Sequence, residues 1–181
     1  TEGIFVTHRA VSSLNDAVVH ALREKGVQAV GVHPFHVGVA DNGRLVGFET
    51  RHLEKMLVLG MVPVIHGDVV MDLSRGACIV SGDQLVRYLA VALKINRVGL
   101  ATDVPGVLDG DVVVPAITRK TVPGLRIGSS RHTDVTGGMR GKIDELLGLA
   151  DAGVRSDIFH VSRIPDFLDG SGHGGTSVRG D

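Results

Sequence analysis

Residues 78–103, CIVSGDQLVRYLAVALKINRVGLATD, decide the architecture. Cys78, Ile79 and Val80 are an apolar, β-prone run, and Ser81-Gly82-Asp83 is a polar turn. Val86, Leu89, Ala90 and Leu93 then recur at helical spacing over 83–94, and 97–101 is apolar again before Thr102-Asp103-Val104-Pro105-Gly106. Strand, glycine turn, helix, strand is the unit that builds a parallel sheet covered by helices.

The same theme extends in both directions. Upstream, Val11, Leu14, Val18 and Leu22 predict a helix over 7–25, capped by Thr7, closed by Gly26 and facing the core with those four residues. A buried strand over 27–32 follows, then a hairpin over 37–48 turning at Asp41-Asn42-Gly43, where Asn-Gly supplies positive φ. A helix over 50–59 places Leu53, Met56 and Leu57 inward, and 62–65 reads as a strand buried on both faces. His66-Gly67-Asp68 closes that strand, and strands at 69–71 and 78–80 flank a turn at Ser74-Arg75-Gly76. Downstream lie a hairpin at Asp109-Gly110, a basic stretch to Arg131, a helix over 138–152 with Met139, Ile143, Leu146 and Leu147 inward, and a strand over 157–161. The glycine-rich segment 170–175 reads as a mobile loop. The alternation predicts an α/β protein with a mainly parallel sheet.

Composition bounds the chemistry. The 181 residues are 43% hydrophobic and 22% charged, as in an ordinary soluble domain or two small lobes. Nineteen basic against 20 acidic side chains leave a net charge of −1, which excludes the broad basic face that nucleic acid or an anionic membrane surface requires, so any phosphate site is local. The strongly apolar stretch 56–65 is broken by Gly60 and Pro63 and falls far short of the ~20 residues that span a bilayer. The single cysteine, Cys78, excludes an intramolecular disulfide and a Cys-rich zinc site, reads as a small core residue, and fits a reducing cytoplasm. The chain opens at Thr1 without Met or a signal-like segment, and is expected to begin inside a longer protein. Twenty-five glycines and no Trp point to close backbone approaches around an aliphatic core.

Four polar, glycine-bearing clusters fall at strand ends: His66-Gly67-Asp68, Ser81-Gly82-Asp83, Thr102 to Gly106, and Asp134-Val135-Thr136-Gly137-Gly138-Met139. Ligands of an open parallel sheet collect beyond the carboxyl ends of its strands, where glycines let backbone N–H groups approach phosphate oxygens. Ser81 fits two roles at a helix start, a plain cap or part of an anion site. Asp83 beside an anion would repel it unless the carboxylate orients lysines or supports magnesium. Lys142 stands four residues after Gly138, one turn into its helix, either solvated or pointing back to stabilise a transferring phosphoryl group. Neither a P-loop nor a Gly-x-Gly-x-x-Gly fingerprint occurs. Most of the nine histidines are expected to be surface or packing residues, with no zinc-protease arrangement and no predicted metal ligands. Ser12, Ser13 and Ser81 lack a nucleophile-elbow setting.

Taken in order, His66-Gly67-Asp68-Val69-Val70-Met71-Asp72, Ile79 to Leu85, Ala101 to Val107, and Asp134 to Met139 with Lys142 resemble the amino acid kinase superfamily, and within it most closely the isopentenyl phosphate kinases. The resemblance covers nearly the whole chain, from the helix containing Leu14-Asn15 to Gly175-Thr176, and 134–139 is its most specific piece. It implies a three-layer αβα sandwich, amino acid kinase-like, with an acceptor-binding N-terminal lobe over 1–94, a nucleotide-binding lobe over 95–181, and a homodimer. It further implies ATP and Mg2+ as cofactors and a small-molecule phosphate as acceptor. Gly82 with Ser81 would bind the acceptor phosphate, Thr102, Asp103, Gly138 and Lys142 the nucleotide, and Lys142 and Asp83 would be catalytic. Pro105 replaces an aspartate common in the family. The family's N-terminal glycine loops, one bearing an ATP-phosphate lysine and one ending in an acceptor-binding histidine, are not in the 181 residues, and His8 follows no Gly-Ser-Phe-Gly segment that would make it that histidine. The implied activity is phosphorylation of isopentenyl phosphate to isopentenyl diphosphate in isoprenoid synthesis. Alternatives are a kinase of another small phosphate, phosphonate such as fosfomycin, or carboxylate, and a non-catalytic nucleotide-binding module.

Overall fold

The computed structural model describes residues 2–126 and 138–181. The chain separates into two compact units, 1–93 and 94–181.

The first unit opens with α1 (Glu2–Glu24) and continues through β1 (Ala29–Val32), the single turn α2 (Pro34–Val37), β2 (Gly38–Asp41), β3 (Arg44–Phe48), α3 (Arg51–Val58), β4 (Val62–Ile65), β5 (Asp68–Asp72), β6 (Gly76–Val80) and α4 (Gly82–Ala92). β1 and β4 pair in parallel, Ala29 opposite Val62 and Val32 opposite Ile65. A second sheet runs β3-β2-β5-β6, with a parallel β2–β5 pair inside and antiparallel hairpins at both edges. Val32, Ala40, Phe48, Leu53, Val70, Val80 and Leu85 form one buried cluster, and Cys78 packs against it. Hairpin β2–β3 turns where the sequence places it, at Asn42 (φ 49°) and Gly43 (φ 83°). Asp72 ties that turn to the β5–β6 turn by accepting from the N–H groups of Asn42, Gly43, Ser74 and Arg75. Burial alone would raise the Asp72 pKa, but these bonds reverse that and hold it at about 2.

The second unit contains β7 (Arg97–Thr102), the small hairpin β8 (Leu108–Asp109) and β9 (Val112–Val113), β10 (Ala116–Ile117), α5 (Gly138–Asp151), β11 (Arg155–His160), α6 (Ile164–Asp169) and β12 (Thr176–Val178). Its sheet order is β10-β12-β11-β7, parallel at β7–β11 and β10–β12 and antiparallel at β11–β12. Ile143, Leu146, Leu147 and Leu149 of α5 are buried in this unit's core with Ile158, Phe159 and Val178.

Several expectations are corrected. α1 begins five residues before Thr7, so Thr7 caps nothing. Its expected core residues Leu14 and Val18 are 66% and 42% exposed, and the residue it buries is Asn15. On α3, Leu53 is buried while Leu57 faces solvent. β4 is half-buried rather than covered on both faces, because its outer edge and Val62 lie at the surface. The segment 170–175 leads into an unforeseen strand: Gly175 packs so closely on β11 that a Cβ there would collide with the Ile158 carbonyl. Among the described residues, no helix is long and apolar enough to cross a membrane.

Candidate active site

In the first unit, Ser81, Gly82 and Asp83 open α4. Ser81 is extended (φ −72°, ψ 157°), and its Oγ accepts from Gln84 N at 3.2 Å, the standard side-chain cap. Gln84 in turn accepts from Leu45 N at 3.2 Å, which ties the start of the helix to β3. A Cβ on Gly82 would meet nothing within 4 Å, so this turn of backbone is open to an approaching group. Beneath it lies Gly67. A Cβ there would stand 3.1 Å from Gly82 N and 3.2 Å from Val80 O, so a side chain at this position would crowd the stacked backbone and push it apart by a few tenths of an ångström. The clusters His66-Gly67-Asp68 and Ser81-Gly82-Asp83 therefore form one site at an 11-residue helix start, where unpaired N–H groups and the helix dipole favour an anion. Asp83 interacts with a neighbouring group rather than standing free.

Four of the nine histidines gather around this site, a grouping that their scattered positions in the sequence do not show. His8, His33, His36 and His66 come together, with ring centroids 5.1 to 6.1 Å apart in successive pairs. His8 Nδ1 contacts Asp68 at 2.9 Å and stacks on Phe35. The buried Asp68 carboxylate also accepts from Phe35 N and Val69 N. His33 Nδ1 lies 2.9 Å from His66 Nε2, and His66 Nδ1 lies 3.0 Å from Gly67 O. Asn15 donates to Val64 O at 3.1 Å, while its Oδ1 is buried without a partner. Gly31 makes room for that amide, since a Cβ on β1 would come within 2.5 Å of it. His8, Ser12 and Asn15, spaced four and three apart, thus lay a polar stripe of α1 on the carboxyl ends of β1 and β4. The signal was in the sequence as this spacing, but an apolar stripe on the same helix outweighed it. Burial, then His66 and His8, push the His33 pKa below its ordinary value, with Asp16 opposing.

In the second unit, Thr102 ends β7 and its Oγ1 donates to Val104 O at 2.8 Å, shaping the turn that exposes Asp103. Behind this turn, Thr176 Oγ1 accepts from Val107 N and donates to Val114 O. Gly138, at φ 58°, begins α5, and half-buried Lys142 sits one turn in, engaged with a neighbour. α5 returns to the start of β11, and its 14 residues, about 21 Å of helix at ~1.5 Å per residue, match the length of that six-residue strand. The opening turn of α5 therefore lies toward the carboxyl end of β11, and His160 there is in register with Thr102. Thr102 and Asp103 thus follow the carboxyl end of β7, and Gly138 and Lys142 stand on the opening turn of α5; the carboxyl ends of strands are where parallel sheets bind ligands. Residues 134–137 of the fourth cluster lie outside the described residues.

Comparison with known proteins gives a consistent picture. The model of the amino acid kinase family matches residues 1–160. Isopentenyl phosphate kinase of Haloferax volcanii is 43% identical over 180 residues, covering 99% of this chain and 71% of that protein. The Methanothermobacter thermautotrophicus isopentenyl phosphate kinase is 36% identical over 173 residues, 88% of this chain and 63% of that protein. A solved isopentenyl phosphate kinase structure superposes with a TM-score of 0.82 at 33% identity, over 97% of this chain and 68% of that one.

Proposed function

The chain belongs to the amino acid kinase family, and from that premise we propose that the protein transfers the γ-phosphoryl group of ATP to isopentenyl phosphate, yielding isopentenyl diphosphate and ADP. The observation that carries this is the open, glycine-lined start of α4, in a chain whose isopentenyl phosphate kinase relatives match it over nearly its whole length.

In this reading the first unit holds the acceptor. The N–H groups at Gly82 bind its phosphate, with Ser81 bracing the turn, and Asp83 orients cationic groups rather than touching the phosphate. The second unit holds the nucleotide through Thr102, Asp103, Gly138 and Lys142. A phosphate oxygen of the acceptor bonds to the γ-phosphorus as the bond to the β–γ bridging oxygen breaks. Lys142 stabilises the charge that develops on the transferred group, so positioning and electrostatics supply most of the catalysis. Magnesium, which neutralises phosphate charge, is usually held by one or two carboxylates plus substrate phosphates; the exposed Asp103 fits such a role. A homodimer in the cytoplasm completes the reading.

ADP release by the full-length protein, with ATP and magnesium, tests it against isopentenyl phosphate, fosfomycin and no acceptor. Dependence on isopentenyl phosphate is expected; equal rates with and without acceptor would refute the assignment. Lys142→Ala is expected to lower kcat by roughly 100-fold or more while acceptor binding changes little, and an unchanged kcat removes Lys142 from the mechanism.

A further inference from the structure

His33 and His66 have no role in the function above, yet they reach its acceptor site through a hydrogen-bonded chain that ends at Gly67. Its tautomers follow from chemistry. Gly67 O can only accept, so His66 Nδ1 carries the hydrogen and its neutral Nε2 offers a lone pair. His33 Nδ1, 2.9 Å away, must then donate to it. One further proton fits at His33 Nε2 without disturbing this chain. A second would set N–H against N–H across 2.9 Å and break it.

Burial and the neighbouring imidazoles oppose extra charge at His33, while Asp16 favours it. From α1 the pair is faced by His8, Ser12 and Asp16, with Ser12 Oγ 3.4 Å from His33 Nδ1. His36 follows on α2, its ring 6.1 Å from that of His33. Asp68, the nearest buried carboxylate, is already engaged by His8 and by two backbone N–H groups. The chain ends at Gly67, whose backbone stacks beneath Gly82 N.

We propose that His33 and His66 are positioning residues for the acceptor phosphate: as a pair that accepts one proton but not two, they hold the Gly67 turn against the N-terminal amides of α4. The inference rests on the assignment of the acceptor phosphate to Gly82. Acidification that adds the second proton releases the turn and weakens acceptor binding, leaving the nucleotide's residues untouched.

Steady-state kinetics of the full-length protein with isopentenyl phosphate provide the first test. His66→Ala is expected to raise the acceptor KM about tenfold at neutral pH, with kcat and the KM for ATP within about twofold. His66→Asn, which keeps an N–H donor near Gly67 O but cannot titrate, is expected to restore most of that KM. Its remaining acid limb should be that of the substrate, whose second phosphate ionisation lies near about pH 6. An unchanged acceptor KM in His66→Ala, or identical behaviour of the Ala and Asn variants, overturns the proposal.

The second test does not depend on turnover. In the unliganded wild-type protein, imidazole nitrogen NMR should show His33 and His66 taking up one proton between them before the second, and the Gly67 and Gly82 amide signals should shift with the second uptake. Two independent titrations near the ordinary histidine value of about 6.5, or amides that ignore them, overturn it. If the wild type shows no acceptor-dependent ADP release, the kinase assignment fails on its own, while this titration still decides whether the pair controls the turn.

Discussion

α1 and α5 are both amphipathic by sequence, yet they meet their sheets in opposite ways. α5 buries Ile143, Leu146 and Leu147, three of the four residues that its apolar spacing marks, and adds Leu149. α1 turns Phe5, Val6, Leu14 and Val18 outward and seats itself through His8, Ser12 and Asn15. An apolar stripe marks the buried face only where the helix has a single apolar partner. Over the carboxyl ends of β1 and β4, the partner surface is made of the Val64 carbonyl, His33, His66 and the Asp68 carboxylate, so polar side chains are required there.

The sharpest test of this contrast is Leu146→Ala. Removal of a fully buried side chain on α5 is expected to cost about 2–5 kcal/mol in denaturant unfolding, and a cost near zero would mean that α5 is no better packed than α1. Next comes Asn15→Ala, which removes the side-chain bond to the Val64 carbonyl. It should cost roughly 0.5–1.5 kcal/mol by the same measurement, and a gain in stability would show that the buried, unpartnered Oδ1 outweighs the bond made by the amide nitrogen. The smallest effect is expected at Leu14→Ala, within about 0.5 kcal/mol, because that side chain is 66% exposed. A loss comparable to that of Leu146→Ala would mean that α1's apolar face is covered in solution, and sedimentation of the two proteins would then reveal the covering partner.

Much of the architecture was legible before any coordinates. The β2–β3 turn at Asn42-Gly43, the strand–turn–helix at 78–94, and the inward face of α5 follow from local propensities and periodicity, which depend on neighbours in sequence. Ser81 and Gly82 were legible as a helix start for the same reason. The histidine cluster was not. His8, His33 and His66 are far apart in the chain, and no spacing rule joins a helix to the ends of two strands that pair only through tertiary contacts. Gly67 was readable as a turn residue, but the crowding that a side chain would meet there arises from the approach of Gly82 N.

By itself, then, the amino-acid sequence determined the α/β class, the order of the elements, and the residue types available for binding phosphate at strand ends, because these rest on local backbone preferences and on periodic burial. Which face of α1 is buried, how Gly67 comes beneath Gly82, and the joining of His33 to His66 were decided only by the tertiary structure. Those features depend on hydrogen-bond partners that chain folding alone brings within reach, and on the cost of leaving buried polar groups without them.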